Sequence, residues 1–250
     1  MTVFTAAAWK WGMKYSAEYV NILAASIRRN LPPKYDLQFI CITDDAHGLD
    51  PWIFRLPFHN LPPRVTECLN ILDGCYTRLS IFDPEFRSYM EKSHIPPADR
   101  ITVFDLDAVI CGNMEAIFLR QEKFIIAQGI HYLETKFNGS LVQLELGYRP
   151  DVWTDFSFQK AEPYTQHKNA QGTVAYQSTD QSWLYHKFGQ RAAQFTPRGS
   201  GVYGYGKPGW PMGGIHLPPN ARVVFFPGQR DPSQPELQEK LPWIKDHWRK

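Results

Sequence analysis

The sequence predicts an α/β fold with a parallel central sheet flanked by helices, and two observations carry that prediction. An apolar strand, an amphipathic helix and a second apolar strand follow one another at the amino end, which is the order that a helical crossover between parallel strands requires. Further apolar runs of strand length recur along the rest of the chain. With 250 residues and 43% hydrophobic side chains, the chain can bury a core as one domain without a disulfide or metal staple.

The first strand–helix–strand unit has the clearest pattern. Residues 2–8 form an apolar run typical of a buried strand. Ser16 is placed to cap a helix whose apolar residues recur every three or four positions until Pro32-Pro33, where a helix must end. Residues 37–43 form the second strand. This unit is therefore expected to supply two parallel neighbours of the sheet.

Shorter patterns predict the later elements. We expect strands at residues 52–56, 100–109, 124–127, 137–146 and 222–226, and helices at 75–82 and 180–188. Residues 199–214 contain seven glycines, so a long mobile loop is expected there.

Charge and cysteine usage narrow the class of protein. The formal net charge of +2, from 27 basic and 25 acidic residues, argues against a nucleic-acid partner. We expect no transmembrane segment, since no apolar run approaches the length that spans a bilayer. The amino end has no basic region followed by an apolar core, so a cytoplasmic protein is expected. Cys41, Cys68, Cys75 and Cys111 form no CxxC pair and are expected to be reduced thiols, with a disulfide or zinc site as the alternative.

Two acids separated by one residue, Asp105-Leu106-Asp107, follow the strongest strand pattern. If the strand continues through them, both carboxylates point to the same side and Leu106 points into the core. Ligands of parallel sheets bind beyond the carboxyl ends of strands. Two carboxylates this close repel unless a cation joins them, and such hard oxygen ligands suit Mg²⁺ or Mn²⁺. That ion would neutralise a diphosphate leaving group. The alternative interpretation is that the two acids are solvated side chains in an ordinary loop after a strand.

The run Phe104-Asp105-Leu106-Asp107-Ala108 resembles the first motif of haloacid-dehalogenase-like phosphatases. That resemblance implies Asp105 as a nucleophile and Asp107 as an acid or base. The family motif normally opens its domain, whereas residues 1–104 precede it here, and no acidic pair of the family's later type follows. A phosphatase is therefore the lesser alternative.

A second resemblance covers most of the chain and rests on several short motifs in order. They are Trp11-Gly12-Met13-Lys14-Tyr15, Tyr76-Thr77-Arg78-Leu79, Asp105-Leu106-Asp107, the segment 113–118, Phe137-Asn138-Gly139-Ser140, Asp180-Gln181 and the segment 225–232. Together they resemble GT-A glycosyltransferases of the family 8-like group, which transfer a sugar from a nucleotide-sugar. The resemblance implies a single GT-A, Rossmann-like domain over 1–250 with a mixed, mostly parallel sheet. Residues 1–112 would bind the nucleotide, and 113–250 the sugar and acceptor.

The resemblance also implies roles for individual residues. Tyr15 would stack on the base and Arg78 would approach the donor. Asp105 and Asp107 would hold Mn²⁺ or Mg²⁺, with Asp105 also meeting the diphosphate.

The remaining motifs concern the transferred sugar and the diphosphate. Asn138, Asp180 and Gln181 would line the sugar as catalytic residues, while Gly228 and Arg230 would belong to the donor site. The implied reaction is hexosyl transfer from a nucleotide-sugar, with a UDP-sugar as the expected donor, to an unidentified hydroxyl acceptor. Retention of the anomeric configuration is implied as well.

The last motif departs from the family pattern. The position of a metal-binding histidine holds Pro227, or Phe226 on the alternative spacing, and the position of a phosphate-binding lysine holds Asp231. The metal would then be held by the two acids with diphosphate oxygens and water, or His216 would reach in, or turnover would be lost. Arg230 would serve the phosphate in place of the lysine. The non-enzymatic alternative is a nucleotide-sugar or glycan-binding protein of the same fold.

Each site residue also has a simpler interpretation. Arg78 fits a surface ion pair, Tyr15 fits an aromatic cap over the first helix, and Asp180 fits the N-cap of its helix. The segment 199–214 is either a plain surface loop or a lid that closes over the donor and excludes water.

Overall fold

A computed structural model describes residues 2–131, 135–168, 170–177 and 179–250. Its central sheet has seven strands in the order β10-β6-β7-β4-β1-β2-β3. These are β1 (Thr2–Lys10), β2 (Tyr35–Thr43), β3 (Phe54–Pro57), β4 (Arg100–Phe104), β6 (Phe124–His131), β7 (Thr135–Glu145) and β10 (Ala193–Phe195). Strand β7 runs antiparallel to both of its neighbours, and the other pairings are parallel. The predicted α/β fold with a mixed, mostly parallel sheet is confirmed.

Two smaller sheets complete the strand inventory of the described residues. The first has the order β11-β12-β5, with β5 (Val109–Ile110), β11 (Val202–Gly204) and β12 (Val223–Phe225). The second pairs β8 (Gln166–Lys168) with β9 (Val174–Gln177).

The helices surround these sheets. They are α1 (Ala17–Arg29), α2 (Pro63–Cys68), α3 (Phe86–Lys92), α4 (Glu115–Phe118), α5 (Asp151–Thr154), α6 (Phe158–Thr165), α7 (Asp180–Phe188), α8 (Pro197–Ser200), α9 (Pro235–Lys240) and α10 (Trp243–His247). Short 3₁₀ helices span Phe58–Asn60 and Leu72–Phe82. Within the described ranges, none of the helices is long and apolar enough to cross a membrane.

Alternation along the strands divides the core between the two faces of the central sheet. In β1, Ala7 and Trp9 pack on one face and Ala6 and Ala8 on the other, as the two-residue period of a strand requires. The helix α1 covers the second face with the stripe Val20, Leu23, Ala24 and Ile27. Burial on both faces explains why the central strands are apolar runs instead of alternating patterns.

Most predicted elements are confirmed with small shifts of their ends. Ser16 occupies the N-cap position of α1, and α1 stops at Arg29, before the prolines. The helix expected at 75–82 is a 3₁₀ helix that begins at Leu72. All four cysteines are free thiols, with Cys41 and Cys68 buried.

The strand expected at 100–109 is wrong in one respect. Strand β4 ends at Phe104, and a turn in which the Ala108 N–H donates to the Asp105 carbonyl (3.2 Å) separates it from β5. Strand β5 then pairs antiparallel with β12 in the small sheet. Both pieces are apolar, so sequence periodicity alone joins them into one strand.

The glycine-rich segment 199–214 is more ordered than the expected loop. It contains the end of α8 and all of β11. The Trp210 indole N–H donates to the Gly214 carbonyl (2.9 Å), and Tyr205 and Trp210 are buried. Its aromatic side chains form part of a third core cluster with Val224, Phe226 and Trp243.

Candidate active site

A cavity of about 660 Å³ opens at the carboxyl ends of β1 and β4. We call it the Asp105 cavity. Its walls are Trp9, Trp11, Gly12, Met13, Lys14, Tyr15, Leu69, Cys75, Arg78, Phe104, Asp105, Leu106 and Asp107. The carboxyl ends of parallel strands are where open α/β sheets bind ligands, so this is the first candidate for a functional site.

Asp105 and Asp107 both line the cavity, but not through strand geometry. Strand β4 ends at Phe104, although the Asp105 N–H still donates to the Ser140 carbonyl of β7 (3.0 Å). The following turn directs both acids to the cavity, while Leu106 is buried in the core as predicted. The expectation that a continuing strand would align the two acids is therefore wrong, although the two acids do share one cavity.

Asp107 lies where negative charge is in excess, as its raised pKa indicates. Burial, followed by the nearby charge of Asp105, raises the pKa of Asp107 to about 7, and Asp231 adds to the effect. The Tyr15 hydroxyl donates to Asp107 (3.1 Å). Burial and the charges of Asp107 and Asp105 raise the pKa of the Tyr15 hydroxyl as well, so it stays a neutral donor. A cation between the two acids would relieve their repulsion.

Arg78 joins the cavity to helix α7. Its guanidinium donates to Asp105 (2.6 Å) and to Asp180 (2.8 Å), and its side chain is only 16% exposed. Burial by itself would lower the pKa of Arg78, but the carboxylates of Asp180 and Asp105 raise it above the usual value. The simpler interpretation of Arg78 as a surface ion pair is corrected: the pair is partly buried, and one cation is shared between two acids.

The predicted sugar-lining residues gather around this ion pair. Asp180 is the first residue of α7, with Thr179 at the N-cap, so the N-cap interpretation of Asp180 is wrong by one residue. The Gln181 side-chain oxygen accepts from the Gly139 N–H (3.3 Å), and Asn138 accepts from the Ser140 N–H (2.8 Å). The segment Asn138–Ser140 and the start of α7 thus meet beside Arg78.

Close packing explains why a glycine stands at position 139. A Cβ there would lie 3.3 Å from an Arg78 guanidinium nitrogen and 3.4 Å from a carboxylate oxygen of Asp180. The first distance is tighter than most Cβ contacts, and the second is an ordinary van der Waals contact. The position is therefore matched to the ion pair, which was not apparent from the sequence motif.

The carboxyl-terminal motif divides between two places. Gly228 has φ +83° and an exposed backbone, and neither it nor Arg230 lines the Asp105 cavity. Arg230 lines a second cavity, beside Tyr205. Pro227 is half-buried, and His216 is exposed and lies outside the lining of the Asp105 cavity.

Sequence reasoning missed two residues near the acids. The Tyr19 hydroxyl donates to Asp231 (2.8 Å), and its ring lies 4.9 Å from that of Tyr15. Tyr15 precedes the N-cap Ser16 and lies outside α1, so helical spacing does not signal its contact with Tyr19. Asp231 had no sequence signal either, since its approach to Asp107 depends on a contact made across more than 100 residues.

The oxygens of Asp105 and Asp107 suit a divalent ion that is also coordinated by a bound phosphate group. Among the described residues, no group of three or more His, Cys, Asp or Glu side chains is arranged to hold a metal. Asp105 and Asp107, of which Asp107 has a raised pKa, are nevertheless a hard oxygen pair that a cation would stabilise. The remaining coordination positions would be filled by phosphate oxygens and water, as is common for Mg²⁺.

Comparison with solved structures identifies the fold. The crystal structure of the galactosyltransferase LgtC in complex with donor and acceptor sugar analogues is similar, with a TM-score of 0.59 at 13% identity over 98% of this chain and 96% of LgtC. The apo form of the glycosyltransferase GlyE of Streptococcus pneumoniae TIGR4 is similar at a TM-score of 0.56 and 12% identity, over 99% of this chain and 61% of GlyE. This chain has the GT-A fold.

The GT-A fold is recognised through three-dimensional structure and not through overall sequence. No protein-family model matches the chain, and no curated protein sequence matches it. The GT-A expectation drawn from the ordered motifs is confirmed. The Asp105 cavity is the candidate active site of this GT-A fold.

Proposed function

We propose that the protein is a glycosyltransferase that moves a sugar from a nucleotide diphosphate donor, a UDP-sugar in our proposal, to a hydroxyl acceptor. One observation carries this proposal: Asp105 and Asp107 face one cavity at the carboxyl ends of the parallel strands of a GT-A fold. LgtC, which shares that fold, is a galactosyltransferase with donor and acceptor analogues bound. The whole chain acts as one unit in this proposal, with 1–112 on the nucleotide side and 113–250 on the sugar and acceptor side.

The two acids are proposed to hold Mn²⁺ or Mg²⁺ on the donor diphosphate. When bound, that ion supplies Lewis-acid neutralisation of the leaving group. Asp107 is positioned for this by the hydroxyl of Tyr15, and Asp105 by its own N–H and by Arg78. Because burial and repulsion already raise the pKa of Asp107, the cation would bind where the protein carries unbalanced negative charge.

Aromatic side chains offer a surface for the nucleotide base. Trp11 and Tyr15 line the Asp105 cavity, and Lys14 lies 4.8 Å from the centre of the Tyr15 ring. Such rings stack on a base, and a lysine beside them suits the negative charge of the phosphates. Tyr15 therefore serves both as a base contact and as a donor to Asp107 in this proposal.

Asp180 is proposed to act mainly by positioning Arg78. Its carboxylate is bound to Arg78 and is nearly inaccessible, with 3% of the side chain exposed. Asn138 and Gln181 lie beside this pair through their contacts with Ser140 and Gly139. Neither lines the Asp105 cavity, and their contact with the transferred sugar remains part of the proposal. Retention of the anomeric configuration is the proposed stereochemical course, and NMR of the product anomer tests it.

Calorimetric titration tests the metal assignment directly. UDP and GDP are titrated into the protein with and without Mn²⁺, and into Asp107→Asn under the same conditions. We expect UDP to bind in a Mn²⁺-dependent way that the variant loses. Glu91→Gln removes an exposed acid outside the cavity and is the matched control. Binding that is indifferent both to Mn²⁺ and to Asp107→Asn would refute the metal role.

A catalytically weakened binding protein of the same fold is the second candidate. Its supporting observation is Pro227 at the position where the resemblance expects a metal-binding histidine. Release of UDP during incubation with candidate UDP-sugars, even by slow hydrolysis, distinguishes the enzyme from that candidate. The phosphatase alternative is disfavoured because the acids follow the fourth strand of a GT-A sheet and not the first strand of the domain.

A further inference from the structure

A second cavity, of about 440 Å³, lies between the glycine-rich segment and the carboxyl-terminal part of the chain. We call it the Lys207 cavity. It is lined by Tyr205, Gly206, Lys207, Pro208, Trp210, Pro211, Met212, Gly213, Gly214, Ile215, Arg230 and Lys240. None of these residues lines the Asp105 cavity, so the proposed donor site does not account for this space.

The Lys207 cavity has a one-sided charge. Lys207, Arg230 and Lys240 line it together, and its lining includes no carboxylate. None of the ion pairs between described residues involves any of these three cations. Like charges that converge without a counter-charge repel one another, so an anion in the cavity would be favoured.

The wall of the Lys207 cavity is held by hydrogen bonds and ring packing. The indole N–H groups of Trp210 and Trp243 donate to the carbonyls of Gly214 (2.9 Å) and Ile215 (3.0 Å). The Tyr205 and Trp210 rings meet edge to face at 5.1 Å. A wall fixed before binding lowers the entropic cost of capturing a ligand.

Arg230 is oriented by that wall. Its guanidinium donates to the Tyr205 carbonyl (3.3 Å) and lies 5.3 Å from the centre of the Tyr205 ring. Gly206, which has φ +65°, follows Tyr205 and lies beside the guanidinium. These contacts use part of the guanidinium, and its other N–H donors remain for a ligand.

The two cavities border the same short segment. Arg230 lines the Lys207 cavity, whereas the next residue, Asp231, accepts from Tyr19 and acts electrostatically on Asp107 of the Asp105 cavity. The Lys207 cavity and the proposed metal site are therefore linked through adjacent residues of one segment. This link is the reason to assign the Lys207 cavity to the acceptor.

We propose that the Lys207 cavity binds a phosphate group carried by the acceptor, which makes the acceptor a phosphorylated molecule. This inference rests on the proposed glycosyl transfer. A phosphate monoester carries nearly two negative charges at neutral pH and three strong acceptor oxygens, so it matches three cations better than a single carboxylate does. Met212 and Ile215 are exposed at the rim, so the phosphate can belong to a sugar phosphate or to a lipid headgroup.

Binding of glucose 6-phosphate is the primary test. The full chain is titrated with glucose 6-phosphate and, separately, with glucose, while NMR follows the indole N–H signals, with Trp210 assigned through Trp210→Phe. We expect saturable shifts of the Trp210 signal with the phosphate ester and none with glucose. Equal responses to glucose 6-phosphate and glucose would overturn the proposal. It would also be overturned if neither sugar nor vesicles containing phosphatidic acid gave a response.

Charge-removing variants locate the binding. Lys207→Gln and Lys240→Gln are each expected to weaken glucose 6-phosphate binding about fivefold or more. Lys160→Gln removes the same charge from helix α6, outside the cavity, and is expected to leave the affinity unchanged. If all three variants bind alike, the phosphate does not sit in this cavity.

Vesicles distinguish the two sources of phosphate. Co-sedimentation is measured with vesicles of phosphatidylcholine alone and with vesicles containing phosphatidic acid. Lys207-dependent binding to the phosphatidic acid vesicles identifies a lipid phosphate, and binding of glucose 6-phosphate alone identifies a soluble one. Either result supports the phosphate site.

Failure of this inference is distinguishable from failure of the proposed function. Asp107→Asn is expected to remove Mn²⁺-dependent UDP binding and to leave glucose 6-phosphate binding intact. If neither UDP nor GDP binds while glucose 6-phosphate binds in a Lys207-dependent way, the proposed glycosyl transfer is refuted and the phosphate site stands. If saturating UDP and Mn²⁺ displace glucose 6-phosphate, the ester binds in the Asp105 cavity and the inference falls.

Discussion

Single residues in the Asp105 cavity leave one negative charge without a counter-charge. Asp105 and Asp107 face the same space, and Arg78 is already shared between Asp105 and Asp180. Asp107 is left with a neutral donor, Tyr15, as its hydrogen-bond partner. The protein therefore retains one acid whose charge is unbalanced, which is typical of a site that awaits a cation.

Replacing Asp107 by Asn is expected to stabilise the protein without metal. The native pKa of about 7 lies above the ordinary value of 3.8, so the native state holds this proton more tightly than the unfolded chain does. Wild-type stability should fall relative to Asp107→Asn as the pH rises from about 4 to about 7, and the difference should then stay constant. Thermal unfolding at pH 4 and pH 8 should show no difference at pH 4 and about 1 kcal/mol or more in favour of the variant at pH 8.

Mn²⁺ provides the complementary measurement. It should raise the melting temperature of the wild type at pH 8 and leave that of Asp107→Asn unchanged. Glu91→Gln should behave as the wild type at both pH values. If Asp107→Asn is less stable than the wild type at pH 8, the pKa of Asp107 is not raised in the metal-free protein.

Removal of Arg78 should be costly, because it leaves two carboxylates without their cation. Arg78→Gln is expected to lower the free energy of unfolding by about 3–5 kcal/mol, measured by urea denaturation. Arg87→Gln is the matched control, since Arg87 is half exposed and pairs at 3.3 Å with the exposed Asp99. That control should change the unfolding free energy by less than about 0.5 kcal/mol. Similar losses in both variants would contradict a special role for the buried pair.

At the scale of elements, the corner between α8 and β11 shows how a glycine fixes a chain path. Gly201 has φ +68°, and a Cβ there would overlap the carbonyl oxygen of Asn220. Gly213 has nearly the same φ, +65°, with nothing within 4 Å of its Cβ position. The two positions thus separate the effect of backbone conformation from that of close approach.

Alanine at these two glycines should give different losses. Gly213→Ala should cost about 1 kcal/mol, the usual penalty of a left-handed backbone for a residue with a Cβ. Gly201→Ala should cost about 2 kcal/mol more, because the strand β11 must shift away from residue 220. Urea denaturation of both variants measures the difference, and equal losses would show that the corner relaxes freely.

The elements differ in how well the sequence predicts them. The unit β1–α1–β2 is found almost as predicted because apolar runs and two prolines specify it locally; Ser16 stands at the N-cap position, but its side chain makes no capping hydrogen bond. The boundary between β4 and β5 was missed because both pieces are apolar and only their partners, β7 and β12, tell them apart. The segment 199–214 was misjudged because its order comes from buried rings that pack on Trp243, far along the chain.

At the scale of the whole molecule, the carboxyl-terminal segment ties the fold together. The Ser26 hydroxyl of α1 donates to the carbonyls of His247 and Arg249, and Trp248 packs on Tyr19 with ring centres 5.2 Å apart. Tyr19 in turn contacts Tyr15 of the Asp105 cavity. The last helix therefore supports the aromatic side of the proposed donor site.

Truncation of a buried side chain in α10 tests that support. Ile244 is fully buried in the third core cluster, so Ile244→Ala should lower the free energy of unfolding by about 2–4 kcal/mol through lost burial and a residual cavity. Lys245→Ala, on the exposed neighbour, should stay within about 0.5 kcal/mol of the wild type. Chemical denaturation of both variants checks this, and a small effect of Ile244→Ala would mean that α10 is dispensable for stability.

The sequence by itself determined the fold class and the identity of the two acids that face the Asp105 cavity. Both follow from local patterns: hydrophobic periodicity along β1, α1 and β2, and two carboxylates placed directly after a buried strand. Only the tertiary structure decided that Arg78 is shared between Asp105 and Asp180 and that Asp231 acts on Asp107. The same holds for the cavity that Lys207, Arg230 and Lys240 line together. The physical reason is that electrostatic and packing contacts between distant segments depend on how the elements are placed in space, whereas periodicity and capping act within a few residues.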